Sequence, residues 1–424
     1  MIRFICFFLI ASASFSAEKN PSSSRYKAIE TLAKGLFYME NLYVDPSKVA
    51  YEDMVQRAME GVVAKLDPHT IVMPSRAFKQ LTIDTQGKFG GIGIIVSTEN
   101  KQLIIVRPIE DTPAHRAGVK SGDEIMEIDG VKVSDMKGSQ ATEMMRGEPD
   151  SDITLMIKRE KKTDLIKFTL TREIIKVKSV SSKLLSQGIL YARISSFQDN
   201  TANELLEVLK KHMSKANGLV LDLRDNPGGL LDQSVKITDL FVESGLIVST
   251  VGRTKKDVER EFAHKRGTFS KIPVVTLING GSASASEIVA GALQDHERSL
   301  VMGTTSFGKG SVQTLISLPD KSGLKITVAR YFTPKDRSIQ AKGITPDVWV
   351  SADVAKTPKM RKESDLQGHI KGKDLSDLSK DGGIQADFKK WPYVYRQDRQ
   401  LQVAYTYLRG WKKFKGPRDI DEEL

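Results

Sequence analysis

The chain has 424 residues, 40% of them hydrophobic and 28% charged, with a formal charge of +11. That length suits two to four domains of roughly 100–200 residues, and the composition excludes both wholesale disorder and a membrane bundle. The basic residues are scattered among acids, as in Lys158-Arg159-Glu160-Lys161-Lys162, with no helix-turn-helix, zinc-finger or RNA-binding signature, so a solvated surface is expected and no nucleic-acid partner.

Residues 1–17 read as a signal peptide. Met1-Ile2-Arg3 is a short positive start, Phe4 to Ile10 is apolar, and Ala11-Ser12-Ala13 and Ser16-Ala17 supply small residues for cleavage. The apolar run is too short for a bilayer, which needs about 20 residues, so export is expected. Cys6, the single cysteine, lies in this segment and lacks the small residues that precede a lipid-anchored cysteine. Once the segment is removed, neither a disulfide nor a thiolate nucleophile nor a Cys-ligated metal is available.

Residues 18–84 are expected to form an N-terminal helical region. Apolar residues at Ile29, Leu32, Ala33, Leu36, Phe37 and Tyr43 give one face to a helix over 26–43, and a second helix follows at 51–65. This pair is expected to pack on the rest of the chain, with another subunit as the alternative. From 85 to 172 the pattern becomes short strands and turns, at Ile92–Val96, Leu103–Val106, Glu124–Ile128, Ile153–Lys158 and Ile166–Leu170, with one helix at Gln140–Arg146. Residues 173–350 alternate strands (Ile189–Ile194, Gly218–Leu223, Val274–Ile278) with helices (Ala202–Met213, Val235–Val242, Glu287–Leu293), which predicts an α/β core. Residues 351–424 read as a polar linker, then a helix over about 397–409 built on Leu401, Ala404, Tyr407 and Leu408.

Three segments carry chemistry. In Ile278-Asn279-Gly280-Gly281-Ser282-Ala283-Ser284-Ala285-Ser286-Glu287 a buried strand meets two glycines and a helix start. This places a serine beside free backbone N–H groups able to receive an oxyanion. A tightly packed helix start with Ser as N-cap has the same sequence, and local chemistry does not choose among the three serines. None of the six histidines lies in a triad or metal motif, so the base sought for a serine is a neutral lysine. Lys309, in Phe307-Gly308-Lys309-Gly310, is the candidate, because burial can bring an amine to a pKa of ~7–8. The run from Gly303 to Lys309 also matches the opening of a phosphate-binding loop. Gly310 stands where that loop needs Ser or Thr, however, and Ser311–Leu318 reads as strand, so nucleotide binding is rejected. Asp222-Leu223-Arg224-Asp225-Asn226-Pro227-Gly228-Gly229 leaves the C-terminal end of a buried strand, where α/β folds hold ligands.

In this order the three segments resemble the C-terminal processing peptidases, tail-specific PDZ-containing Ser–Lys proteases of family S41. The resemblance implies a mixed α/β multi-domain fold: a helical N-terminal unit, a β-rich PDZ domain inserted ahead of an α/β protease core, and a C-terminal linker and helix. It implies Ser284 as nucleophile, Lys309 as base, Gln313 as the lysine's support, and Ala285 and Gly229 (or Gly228) as oxyanion donors, with no metal or organic cofactor. Gly90, Gly91, Ile92 and Gly93 resemble the carboxylate-binding loop of the PDZ domain, and Arg146 a possible switch between that domain and the core. Implied partners are protein substrates with apolar C-terminal tails, a helical-repeat lipoprotein adaptor, and further copies of the chain through the N- or C-terminal helices. The implied location is the periplasm. A catalytically silent PDZ scaffold, or a latent protease awaiting an adaptor, is the rival reading.

Overall fold

The computed structural model describes residues 21–99, 102–136, 140–160, 162–254, 256–351, 362–369, 384–385 and 398–411. The expected signal segment with Cys6 and most of the expected linker lie outside the described residues. Contacts divide the chain at Leu66 into two compact units.

In the first unit, helices Pro21–Leu42 and Tyr51–Val63 share a small core of Leu36, Val49 and Met54. Within this unit Ile29 is 63%, Leu32 54% and Phe37 56% accessible. Two helices joined by a short turn cover only one line of each other, so Leu36 alone of the expected apolar face is buried.

The second unit begins at Asp67, earlier than the expected domain boundary. Strand Ile71–Met73 pairs with Gly323–Phe332, in a sheet that also holds Ser311–Ser317, Gly245–Val251 and Val258–Ala263. The PDZ-like region is thus inserted between one strand of the core and all the others, so residues to 84 are not purely helical lead-in. Its six-stranded sheet encloses Ile105, Ile125, Ile128, Leu155 and Ile157, with helix Gln140–Met145 against it.

The main sheet has seven strands, in the order Val180–Leu184, Ile189–Ile194, Gly218–Asp222, Val274–Ile278, Leu300–Gly303, Val348–Trp349 and Ile384–Gln385. All neighbours except the first pair run parallel. Every residue of Gly218–Asp222 and Val274–Ile278 is buried, as parallel strands covered on both faces require. Leu219 and Leu221 face helices Thr201–His212, Leu231–Asp239 and Ala285–Asp295, whereas Val220 faces Ala404 and Leu408 of helix Arg399–Gly410. Each such fully buried aliphatic side chain contributes about 1.5–3 kcal/mol. The last helix therefore completes the core and is not an appendage beyond 350. Its 401/404/408 spacing gives one apolar stripe, and Asp398 caps its first turn by accepting from Leu401 N–H at 3.0 Å.

Candidate active site

Strands Gly218–Asp222 and Val274–Ile278 are neighbours, so the loops at their C-terminal ends meet. Asn279 joins them: its Oδ1 accepts from Gly281 N–H and from Asp225 N–H, both at 2.9 Å. Helix Ala285–Asp295 then starts, with Ser284 at φ 57°, ψ −116°. A non-glycine residue in that region costs about 1–3 kcal/mol and persists where its surroundings hold it.

The surroundings also separate the three serines. Ser282 is fully buried and donates to the Leu223 carbonyl at 2.7 Å; Ser286 is fully buried and donates to the Asn226 carbonyl at 2.9 Å. Both hydroxyls pin the neighbouring loop. Ser284 has neither role and is only half-buried.

Glu287 has no role in the reading of the sequence; the one local signal for it is the Ser-x-x-Glu capping pattern that starts at Ser284. Its carboxylate is fully buried. Oε2 accepts from Ser284 N–H at 2.8 Å and Lys309 N–H at 2.9 Å, while Oε1 accepts from Ser306 Oγ at 2.5 Å and Gly308 N–H at 2.7 Å. Burial outweighs these donors and pushes the carboxyl up to about 7.

The loop carrying Lys309 runs from strand Leu300–Gly303 into strand Ser311–Ser317, as expected, and not into a helix. Burial, with the charge of Lys325 beside it, brings the Lys309 ammonium down to about 8, against the pull of Glu363, Glu287 and Asp67. At pH 7 about one such amine in ten is neutral, against ~1 in 2,500 for an ordinary lysine. Tyr331, buried beside Ser284, donates its hydroxyl to the Lys309 carbonyl; burial pushes the phenol well above its ordinary value. Among the described residues no hydrogen bond joins Lys309 Nζ to Ser284 Oγ. Gln313 lies on the strand after a bulge, and its amide donates to Ser311 Oγ at 2.8 Å and weakly to Thr327 Oγ1 at 3.4 Å. Thr327 in turn donates to Asp67 at 3.2 Å.

The two candidate glycines of the Pro-Gly-Gly turn differ. The Gly228 N–H is already held by Asn226 Oδ1 at 2.9 Å, and a Cβ at Gly228 would lie 2.7 Å from Ser284 Cβ, so glycine is needed there for close approach. Gly229 is exposed, and among the described residues its N–H, like that of Ala285, has no acceptor. Behind this loop Arg224 donates to Asp222 at 2.9 and 2.7 Å and to both Asp398 oxygens at 2.8 Å, tying the loop to the last helix.

In the PDZ-like domain, Gly90 and Gly91 sit on strand Lys88–Gly91, opposite Ile174 and Glu173. Gly93, at φ 75°, turns the chain, so the next strand starts at Ile94 and not at Ile92. The Ile92 and Gly93 carbonyls are fixed by Ala114 N–H at 3.0 Å and Ile109 N–H at 2.8 Å. Arg146 lies over the Phe89 ring, 4.6 Å from its centre.

The models of two families match this chain: peptidase family S41 over residues 188–350 and PDZ domain over residues 90–170. The carboxy-terminal-processing protease of Bartonella bacilliformis is 41% identical over 97% of this chain and 96% of its own length. The carboxyl-terminal-processing protease of Synechocystis is 35% identical over 73% of this chain and 74% of its own. The carboxy-terminal processing protease CtpB of Bacillus subtilis is 30% identical over 92% and 84%. With two domains matched in order and relatives aligned along nearly the whole chain, this protein belongs to the PDZ-containing carboxy-terminal processing proteases of peptidase family S41, and it is a serine peptidase.

Proposed function

We propose that Ser284 and Lys309 are the nucleophile and base of an endopeptidase that cleaves exported proteins near their C-termini, the PDZ domain capturing the tail. The observation that carries this reading is a single oxygen, Glu287 Oε2, which accepts from the backbone N–H of both residues and so fixes serine and lysine to one point. Neutral Lys309 takes the Ser284 hydroxyl proton as the oxygen attacks the scissile carbonyl. The Ala285 and Gly229 N–H groups receive the oxyanion, and the Lys309 ammonium returns its proton to the leaving amine. Lys309 then activates the water that hydrolyses the acyl-enzyme. In this reading Gln313 supports the lysine.

Because the lysine acts when neutral, kcat/KM is expected to rise with pH through an apparent pKa near about 8. Lys309→Ala should lower the plateau by roughly 10²–10⁴-fold and abolish that rise. The same profile in wild type and variant, measured on a quenched peptide, rejects Lys309 as the base.

The Gly90–Gly93 turn suits a C-terminal carboxylate added as a strand beside Ile94. A peptide with an apolar tail should bind roughly 10-fold or more tightly as the free acid than as the amide, since a charge-assisted hydrogen bond contributes about 1.5–3 kcal/mol. Equal affinity by titration calorimetry rejects carboxylate capture.

A further inference from the structure

A short turn at Glu363–Asp365 lies against the loop that carries Lys309. Glu363 is fully buried, and its N–H donates to the Phe307 carbonyl at 3.3 Å. Its two carboxylate oxygens meet His69 Nε2 at 2.8 and 2.7 Å, and Oε1 also accepts from Gln340 Nε2 at 3.0 Å. Gln340, likewise fully buried, turns its own Oε1 to Gly310 N–H at 2.9 Å. His69 is set in place by its N–H on Asp67 Oδ1 at 2.8 Å. The Glu363 carboxylate therefore joins His69 and Gln340, while its backbone N–H holds the loop before the lysine, at Phe307, and Gln340 holds it after the lysine, at Gly310. These contacts are separate from those of Glu287. A buried carboxylate is costly to keep, and a packing role alone would be filled as well by an apolar side chain.

We infer that Glu363, seated by His69 and Gln340, is a positioning residue that fixes the loop carrying Lys309 and with it the surroundings of the lysine. The inference rests on the dyad reading above. The charged groups acting on Lys309 are Lys325 from the strand Gly323–Phe332, Glu287 from the serine helix, Asp67 from the start of the unit, and Glu363, which is foremost among the three acids. A negative charge there favours the ammonium, so its removal makes the neutral amine available at lower pH.

The test is the pH profile of kcat/KM on a quenched peptide for wild type, Glu363→Gln and His69→Gln, with thermal melts alongside. Glu363→Gln is expected to move the rising limb to lower pH and to lower the plateau by roughly 10- to 100-fold through a misplaced loop. His69→Gln keeps the acid but loosens its seat, so its plateau should fall similarly while its limb does not move to lower pH. A wild-type limb in Glu363→Gln overturns the inference whatever the plateau, because a residue with only a structural role changes the plateau alone. A wild-type plateau in His69→Gln overturns it independently, should Glu363→Gln fail to fold. Ser284→Ala, run in parallel, separates the two ideas: hydrolysis remaining there defeats the dyad itself, not the positioning role.

Discussion

Ser284→Ala is expected to lower peptide hydrolysis by roughly 10⁴- to 10⁶-fold while leaving the fold in place. The reason lies in what each serine holds. Ser282 and Ser286 give their hydroxyls to the Leu223 and Asn226 carbonyls, so their loss costs about 1 kcal/mol each in stability and leaves the nucleophile present. Ser284 anchors no backbone carbonyl in this way, and alanine meets the same positive φ that serine already tolerates, so only the loss of its N-cap hydroxyl is felt, about 0.5–2 kcal/mol. A fluorophosphonate probe should label the wild type and the Ser282 variant but not Ser284→Ala. Labelling of Ser284→Ala would move the nucleophile elsewhere.

Glu287→Ala should damage stability and activity together. It removes the acceptor of three backbone N–H groups and one hydroxyl in a site closed to water. Each buried donor left unpaired costs about 1–3 kcal/mol, and with partial relaxation a net loss of about 3–5 kcal/mol is expected. Activity falls with it, because the tie between the serine turn and the lysine loop is gone. The effect also has a pH signature. The folded carboxyl titrates at about 7, above its ordinary 4.5, so between these values the folded state binds more protons than the unfolded one. Its contribution is fully favourable below about 4.5 and is lost as pH rises to about 7, for a total of roughly 3 kcal/mol. Glu287→Gln should erase that slope. Denaturant titrations at pH 5 and pH 8 measure it directly, and an unchanged difference between the two would mean that the carboxylate is ionised throughout.

The elements legible in the sequence were those whose cause is local. The runs Gly218–Leu223 and Val274–Ile278 are apolar enough to be read as buried strands, and the helix near the C-terminus announced itself by its 401/404/408 spacing. The choice among the three serines was not local: it depends on carbonyls 59 and 60 positions away, so only the family resemblance selected Ser284. Gln313 came from the resemblance as the lysine's support, and no local signal announces the bulge between Val312 and Gln313 or the bonds of its amide to Ser311 and Thr327. Ile71–Met73 is too short to register as a strand by itself and becomes one only against Gly323–Phe332. The contact of His69 with Glu363 spans 294 positions, and no motif links the two.

The bond between Arg224 and Asp398 spans 174 positions, so the order of synthesis matters. A ribosome finishes the segment matched by the S41 model well before it adds Asp398 and the helix behind it. Until then the sheet has one bare face, where Val220, Val275 and Leu277 meet water in place of Ala404 and Leu408, and Arg224 lacks its second acid. A chain cut short before Asp398 would carry Ser284, Lys309 and Glu287 yet leave the loop after Arg224 without that support. The protease thus reaches its working shape only once Asp398 and helix Arg399–Gly410 have joined the sheet.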